Sequence, residues 1–186
     1  QGWVELPLNV DALGVAVDPK DGSIYFGLGC ADFSNGHQVG KDGKAAYRLN
    51  SERGTILRLS PDASKREVVC TGIRFPVALR MGPGNELFCS DQEGATWLPN
   101  GNPFDELLHI RKGLHFGFPP KHPKHLPNVV DEPSLWDYGP QHQSTCGFNF
   151  NLGVNGGPAF GNKLWQGDVL MTGESRGKIY RTTLAK

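Results

Sequence analysis

The feature that most constrains the fold is a hairpin pattern that occurs three times. An apolar run, a glycine-rich turn and a second apolar run start at Gly14 (GVAVDPKDGSIYFGLGC) and recur at Val77 (VALRMGPGNELFCSDQ). A looser copy starts at Gly147 (GFNF) and resumes at Lys163 (KLWQGDVLMTGES). The copies start 63 residues apart (77 minus 14) and then 70 residues apart (147 minus 77). Repeats of this length indicate an array of small, similar sheets.

Each copy continues into further segments with strand character, and together they define three units. The first unit combines an Asp-Gly turn, which is typical of β-hairpins, with an alternating segment TILRL. The predicted strands are 14–17, 24–27, 55–59 and 66–70 in the first unit, 77–80, 86–89 and 106–111 in the second, and 147–150, 168–172 and 177–184 in the third. We therefore expect blade-like units at about 14–74, 75–143 and 144–186.

Tandem antiparallel units of four strands are typical of a β-propeller. The predicted fold is therefore all-β, with about three four-stranded antiparallel blades. The alternative is a β-sandwich in which the hairpins resemble one another by chance. Propellers close with about four to eight blades, so three blades correspond to half of a six-bladed ring. We expect the chain to be a partial propeller, with the remaining blades in the same protein or in a partner subunit.

The composition favours a globular domain built from short strands. Glycine and proline are abundant, with 25 and 14 residues, and this suits a fold with many tight turns. Lys plus Arg and Asp plus Glu are equal at 19 each, so the charge balance favours neither a nucleic acid nor an anionic membrane as a partner. No apolar run approaches the roughly 18 residues of a membrane-spanning helix.

The cysteines do not form a metal-binding or haem-attachment motif. They stand at Cys30, Cys70, Cys89 and Cys146, and no pair has the CxxC spacing. Zinc and covalent haem are therefore not favoured. The four residues are either buried free thiols or, in an oxidising compartment, partners in up to two disulfides.

The stretch 119–143 is rich in proline and histidine and lacks any periodicity. It is longer than an ordinary connection, so it is predicted to be a lid, a binding loop or an interaction arm. Its KHPKH segment contains a proline between two histidines. The proline breaks the helix that a metal-binding i, i+3 pair would need.

Acidic residues cluster where the second predicted strand of the second unit ends. Asp91 and Glu93 follow that strand, and the pair Asp105-Glu106 lies a short loop further on. Carboxylate oxygens and turn carbonyls at one rim are the ligands that a hard cation such as calcium prefers. The alternative is an ordinary solvated acidic turn.

Cationic residues and histidines provide the other candidate groups. Arg74, at the entry to the second unit, could bind a carboxylate with two parallel hydrogen bonds. Arg176 and Lys178 lie in the tight turn GESRGK and would suit an anionic cofactor or substrate. His37 and His142 are candidates for a general base, since histidine titrates near neutral pH.

Three segments resemble the quinoprotein sugar dehydrogenases, which include the soluble glucose, aldose-sugar and sorbosone dehydrogenase-like six-bladed propellers. They are TGIRFPVALRMGPGNELFCSDQEG, FDELLHIRKGLHFGFP and GDVLMTGESRGKIYRTTL. The resemblance implies oxidation of a sugar or an alcohol with pyrroloquinoline quinone (PQQ) and calcium, in the periplasm or outside the cell. It also implies that Arg74 and Arg176 contact the cofactor, and that Gly94 and its neighbours, including Ala95, form the calcium-binding turn.

The chain departs from that family pattern at three positions. Phe75 replaces the family's asparagine after the arginine, and Ala95 replaces its proline after the calcium turn. The segment before the first hairpin reads LNVD where the family has its catalytic histidine, which leaves Asp11 as a candidate base. These departures leave open a non-catalytic secreted propeller that binds a protein or a carbohydrate. A gluconolactonase-like hydrolase that uses metal-bound water ranks last, because its ligands on successive blades are not evident.

Overall fold

Three antiparallel sheets follow one another along the chain, which confirms the all-β blade arrangement predicted from the repeat. The structure is a computed structural model that describes residues 12–29, 52–93, 104–118, 133–140 and 143–184. Two sheets have four strands and the third has three. Every strand predicted from the sequence overlaps a strand of the structure.

Each sheet is a meander in which strands that are consecutive in the sequence pair with each other. Blade 1 consists of β1 (Ala12–Val17), β2 (Ile24–Leu28), β3 (Thr55–Leu59) and β4 (Arg66–Thr71). Blade 2 consists of β5 (Pro76–Met81), β6 (Leu87–Asp91), β7 (Asp105–Ile110) and β8 (Trp136–Tyr138). Blade 3 consists of β9 (Thr145–Phe150), β10 (Val169–Gly173) and β11 (Lys178–Thr182), with short 3₁₀ turns at Lys163–Trp165 and Glu174–Arg176.

A register shift marks the start of the first strand in all three blades. It falls at Gly14 in β1 and at Val77 in β5, and β9 has a shift near its start as well. Gly14 and Val77 are also the first residues of the first two sequence repeats. The 63-residue offset between the repeats is therefore a structural equivalence, and the shared bulge adds a local twist at the same edge of every blade.

Gly14 allows the first strands of blades 1 and 2 to approach closely. Its φ angle is +59°, which an L side chain rarely adopts. A Cβ atom at this position would lie 3.1 Å from the backbone of Ala78 and Leu79 in β5. Glycine is therefore required here both by the backbone conformation and by the packing of β1 against β5.

The core lies between the blades, and blade 2 is buried on both faces. Side chains alternate along a strand, so Leu87 and Cys89 of β6 face blade 1 while Phe88 faces blade 3. β7 divides in the same way, with Leu108 facing blade 1 and Leu107 facing blade 3. Because both of its faces are packed, every residue of β6 is buried.

One strand was not predicted from the sequence. β8 lies inside the stretch 119–143, which was predicted to be a lid, a binding loop or an arm. It has three residues, and only Tyr138 is buried, so it is too short to show an alternating pattern. Residues 119–132, 141 and 142 of that stretch lie outside the described residues, and the prediction for them is untested.

Three of the four cysteines are described, and they are free thiols. Cys70 and Cys89 are buried in the core between blades 1 and 2, and Cys146 is half-buried. Burial raises the pKa of the Cys70 thiol to about 12. These two core residues therefore behave as small apolar side chains. Cys30 lies outside the described residues.

No helix among the described residues combines the length and the apolar character needed to cross a bilayer.

We expect the core between blades 1 and 2 to dominate stability. Leu79→Ala should lower the free energy of unfolding by about 2–5 kcal/mol, because Leu79 is completely buried and the substitution leaves a cavity. Leu164→Ala is the matched control, since Leu164 is 85% exposed and its truncation should change stability by less than about 0.5 kcal/mol. Urea unfolding of both variants checks this, and equal effects would contradict the assignment of the core.

Candidate functional site

The predicted site residues that the structure describes gather at one edge of blades 2 and 3, here called the site rim. Asp91 ends β6 and pairs across the sheet with Glu106 of β7. Gly173 ends β10 and pairs with both Thr145 of β9 and Lys178 of β11. Hydrogen bonds join the two blades at this edge, so the rim is a continuous surface.

Asp91 ties the site rim to the junction between blades 1 and 2. Its carboxylate is completely buried, and both oxygens accept backbone hydrogen bonds. Oδ2 accepts from the N–H of Arg74 at 2.9 Å, and Oδ1 accepts from the N–H of Phe75 at 2.6 Å. The two N–H groups belong to the irregular segment between β4 and β5, where no sheet partner satisfies them. Asp91 therefore stabilises the entry into blade 2.

Asp105 plays the same part at the junction between blades 2 and 3. Its Oδ1 accepts from the N–H of Glu93 at 3.1 Å. Its Oδ2 accepts from the N–H groups of Gln143 at 3.2 Å and Thr145 at 2.9 Å. The side chain is completely buried. Both of its oxygens thus accept hydrogen bonds from backbone N–H groups. Its predicted role as a calcium ligand stays a prediction.

Gln92 connects the two junctions, and the sequence offered no signal for this role. Its backbone oxygen accepts from Nη1 of Arg74 at 2.6 Å, while its backbone N–H donates to the oxygen of Phe75 at 3.1 Å. Its side-chain Nε2 donates to the backbone oxygen of Thr145 at 2.8 Å. One residue therefore bonds to the segments on both sides of blade 2.

Three carboxylates meet at this rim. One oxygen each of Asp91, Glu93 and Glu106 lies within 4.8 Å of the other two. Asp91 and Glu106 are cross-strand partners, so their side chains leave the same face of the sheet. Glu93 is buried like Asp91, and Glu106 is half-buried. The structure thus brings together two of the predicted metal ligands, Asp91 and Glu93. The third member of the group, Glu106, was noted in the acidic segment but was not predicted to be a ligand.

Burial makes the carboxylates of Asp91 and Glu93 reluctant to ionise. It raises the pKa of Asp91 to about 6, although the N–H groups of Arg74 and Phe75 favour the charged form. The pKa of Glu93 is raised well above its ordinary value, first by burial and then by the neighbouring charges of Asp91 and Glu106. Negative charges held close together in a buried place favour a proton or a cation among them.

The predicted cofactor-binding cations occupy different environments. Arg74 is only 4% exposed, and its guanidinium donates to the backbone oxygen of Gln92. Lys178 is exposed at the start of β11, opposite Gly173. Arg176 lies in the 3₁₀ turn between β10 and β11, and only its backbone is described. That turn contacts the junction of blades 2 and 3 through the N–H of Glu174, which donates to the oxygen of Ser144 at 3.1 Å.

Several predicted residues lie outside the described residues. The candidate bases Asp11, His37 and His142 are among them, as are Gly94 and Ala95 of the predicted calcium turn.

Solved sugar dehydrogenases share this fold. A glucose dehydrogenase matches with a TM-score of 0.66 and 18% identity over 92% of this chain and 49% of its own. The PQQ-bound aldose sugar dehydrogenase from Streptomyces coelicolor matches with a TM-score of 0.63 and 19% identity, over 94% and 46%. The apo-form of the soluble aldose sugar dehydrogenase from Escherichia coli matches with a TM-score of 0.60 and 16% identity, over 92% and 53%.

The chain thus spans about half the length of the solved structures that it matches. At these identities the likeness establishes the fold, and the resemblance to quinoprotein sugar dehydrogenases is confirmed at that level. The sequence matches no protein-family model and no curated protein.

The raised pKa of Asp91 predicts a specific pH dependence of stability. Its folded-state pKa of about 6 exceeds the ordinary 3.8, so folding favours the protonated carboxyl. The stabilisation that the protonated Asp91 gives to the folded state is complete below about pH 3.8 and is lost as the pH rises through about 6. Between pH 4 and pH 7 the free energy of unfolding of the wild type should fall by on the order of 2–3 kcal/mol relative to that of Asp91→Asn. Urea unfolding in buffer with a chelator measures this difference.

The control for that comparison is Asp62→Asn. Asp62 is exposed, and the hydroxyl of Ser60 and the N–H of Ser64 lower its pKa to about 2. It therefore titrates below the pH window, and its variant should run parallel to the wild type between pH 4 and 7. If the Asp91→Asn curve also ran parallel, the raised pKa of Asp91 would be wrong.

Proposed function

We propose that this chain is part of a quinoprotein-type dehydrogenase that oxidises a small sugar or an alcohol. The observation that carries the proposal is the group of three carboxylates, the buried Asp91 and Glu93 and the half-buried Glu106, at the rim of a sheet array whose fold matches sugar dehydrogenases. The proposal places the whole protein in the periplasm or outside the cell, as the resemblance implies.

Calcium is the proposed metal, and the donor set fits it. Ca²⁺ binds carboxylate oxygens at about 2.3–2.6 Å, so two ligands of one ion lie at most about 5 Å apart. The oxygens of Asp91, Glu93 and Glu106 meet that limit with separations within 4.8 Å. A divalent cation would also offset the burial and the repulsion that together raise the pKa values of Asp91 and Glu93. Gly94 and Ala95 are proposed to add backbone carbonyls, and Asp105 to orient the site through the N–H of Glu93.

PQQ is the proposed cofactor, and when bound it supplies a quinone that accepts two electrons from the substrate. Lys178 and Arg176 are proposed to bind its carboxylates, since Lys178 is exposed on the site rim. Arg74 is proposed to attract the cofactor carboxylates through its positive charge without touching them, because it is buried and its guanidinium already donates to the backbone oxygen of Gln92.

The buried position of Arg74 favours a second candidate, a non-catalytic propeller module that binds a protein or a carbohydrate. A side chain that is 4% exposed cannot reach a cofactor without displacing its neighbours. In this alternative, Arg74, Asp91 and Asp105 serve only to hold the blade junctions together. The two candidates differ in whether the protein binds quinone.

Calcium should bind to the complete protein and raise its melting temperature. Glu106→Gln removes one ligand and should weaken binding about ten-fold or more, because it deletes a charged oxygen from the group. Glu174→Gln is the matched control, since Glu174 is exposed at the same rim and lies outside the group. Calorimetric titration measures both affinities. Equal affinities in the two variants would exclude Glu106 as a ligand.

Quinone binding should depend on Lys178. Titration of the complete protein with PQQ and calcium should change the quinone absorbance, and Lys178→Gln should weaken binding about ten-fold through the loss of a charged hydrogen bond. Lys65→Gln, on an exposed turn of blade 1, is the control. A spectrum that stays unchanged with the wild type, together with the absence of dye-linked sugar oxidation, would establish the non-catalytic alternative.

A further inference from the structure

A polar cleft lies between blades 1 and 2 at the edge opposite the site rim. It has a volume of about 360 Å³, within the range of roughly 300–1,000 Å³ typical of small-molecule sites. Asp18 and Tyr25 belong to the first hairpin of blade 1, and Asn85 and Glu86 to the first hairpin of blade 2. His109, near the end of β7, lines it as well. We call it the far-rim cleft.

Ion pairs hold one wall of the far-rim cleft in place. Arg58 donates to Glu67 at 3.2 Å and to Asp21 at 2.6 Å, and Lys112 donates to Glu67 at 2.7 Å. Lys112 comes from blade 2, so the last pair crosses between the blades. The guanidinium of Arg58 also lies 6.0 Å from the centre of the Tyr25 ring. This wall is therefore formed before any ligand arrives.

A second contact joins the two hairpin turns. Nδ2 of Asn85 donates to Oδ1 of Asp18 at 3.1 Å. The apolar side chains that line the cleft come from the core between blades 1 and 2, and they include Val69, Leu87 and Ile110. The cleft thus combines apolar side chains with polar groups that are already ordered.

We propose that the far-rim cleft binds a neutral carbohydrate. An anion would have to compete with Asp21 and Glu67 for Arg58 and with Glu67 for Lys112, and it would also meet the carboxylates of Asp18 and Glu86. A sugar hydroxyl both donates and accepts, so it can bond to the paired charges without separating them. The apolar C–H face of a sugar ring suits the apolar side chains, and its hydroxyls suit Glu86, Asn85 and His109.

This inference is independent of the proposed function. The strands that begin at the site rim, such as β5, end at the far-rim cleft, so the two places are separated by the length of a blade. Failure of quinone or calcium binding at the site rim would leave the cleft proposal intact. Failure of carbohydrate binding at the far-rim cleft would likewise leave the proposed function intact.

The test is a titration of the complete, ¹⁵N-labelled protein with cellobiose, a neutral disaccharide. Saturable shifts are expected for the amide signals of Asn85, Glu86 and His109. Glucuronate, which is an anion, should bind about ten-fold more weakly than the neutral glucose, because it has to break an ion pair and lies beside the carboxylates of Asp18 and Glu86. Glu86→Gln should weaken cellobiose binding about ten-fold through the loss of a charged hydrogen bond.

A second variant and a control keep the test independent of folding. Lys112→Met removes an exposed cation of the cleft and should also weaken cellobiose binding. Asp137→Asn, on the exposed strand β8, makes the same kind of change as Glu86→Gln away from the cleft and should leave affinity unchanged. The proposal is overturned if cellobiose causes no saturable shift or shifts only site-rim signals. It is also overturned if glucuronate binds as tightly as glucose.

Discussion

Two buried carboxylates hold the blades in their arrangement, and the rest of the structure depends on them. Asp91 accepts the N–H groups of Arg74 and Phe75, and Asp105 accepts those of Gln143 and Thr145. Arg74, Phe75 and Gln143 lie in irregular segments between blades, and Thr145 is the first residue of β9, so the sheets leave these N–H groups to side-chain acceptors. A buried N–H without a partner costs about 1–3 kcal/mol, and a carboxylate satisfies two of them at once without adding a donor of its own.

The same arrangement connects the fold to the candidate site. Burial opposes the negative charge of Asp91, while the backbone donors that it binds favour that charge. Glu93 and Glu106 add further negative charge within 4.8 Å. A cation among them would satisfy all three carboxylates, so the proposed metal binding would be coupled to the geometry of the blade junction. A change at Asp91 is therefore expected to affect stability and metal affinity together.

The two edges of the sheets have different chemistry. The site rim brings carboxylate oxygens of Asp91, Glu93 and Glu106 within 4.8 Å of one another, which suits a cation. At the opposite edge, Arg58 and Lys112 are already paired with Asp21 and Glu67, which suits a neutral polar ligand better than an anion. Both properties follow from blade 2, since its strands run from one edge to the other and its two faces pack against blades 1 and 3.

The amino-acid sequence by itself determined the strands, the repeat and the presence of acidic residues at one strand end. These depend on local patterns, namely the alternation of apolar residues and the turn residues between them. It did not reveal β8, because three residues carry no alternation, and it did not single out Gln92. Only the tertiary structure decided that Glu106 lies with Asp91 and Glu93, and that Asp91 and Asp105 bind backbone N–H groups at the blade junctions. The physical reason is distance along the chain: Asp105 and Thr145 are 40 residues apart, and the pairing of strands and blades brings them together.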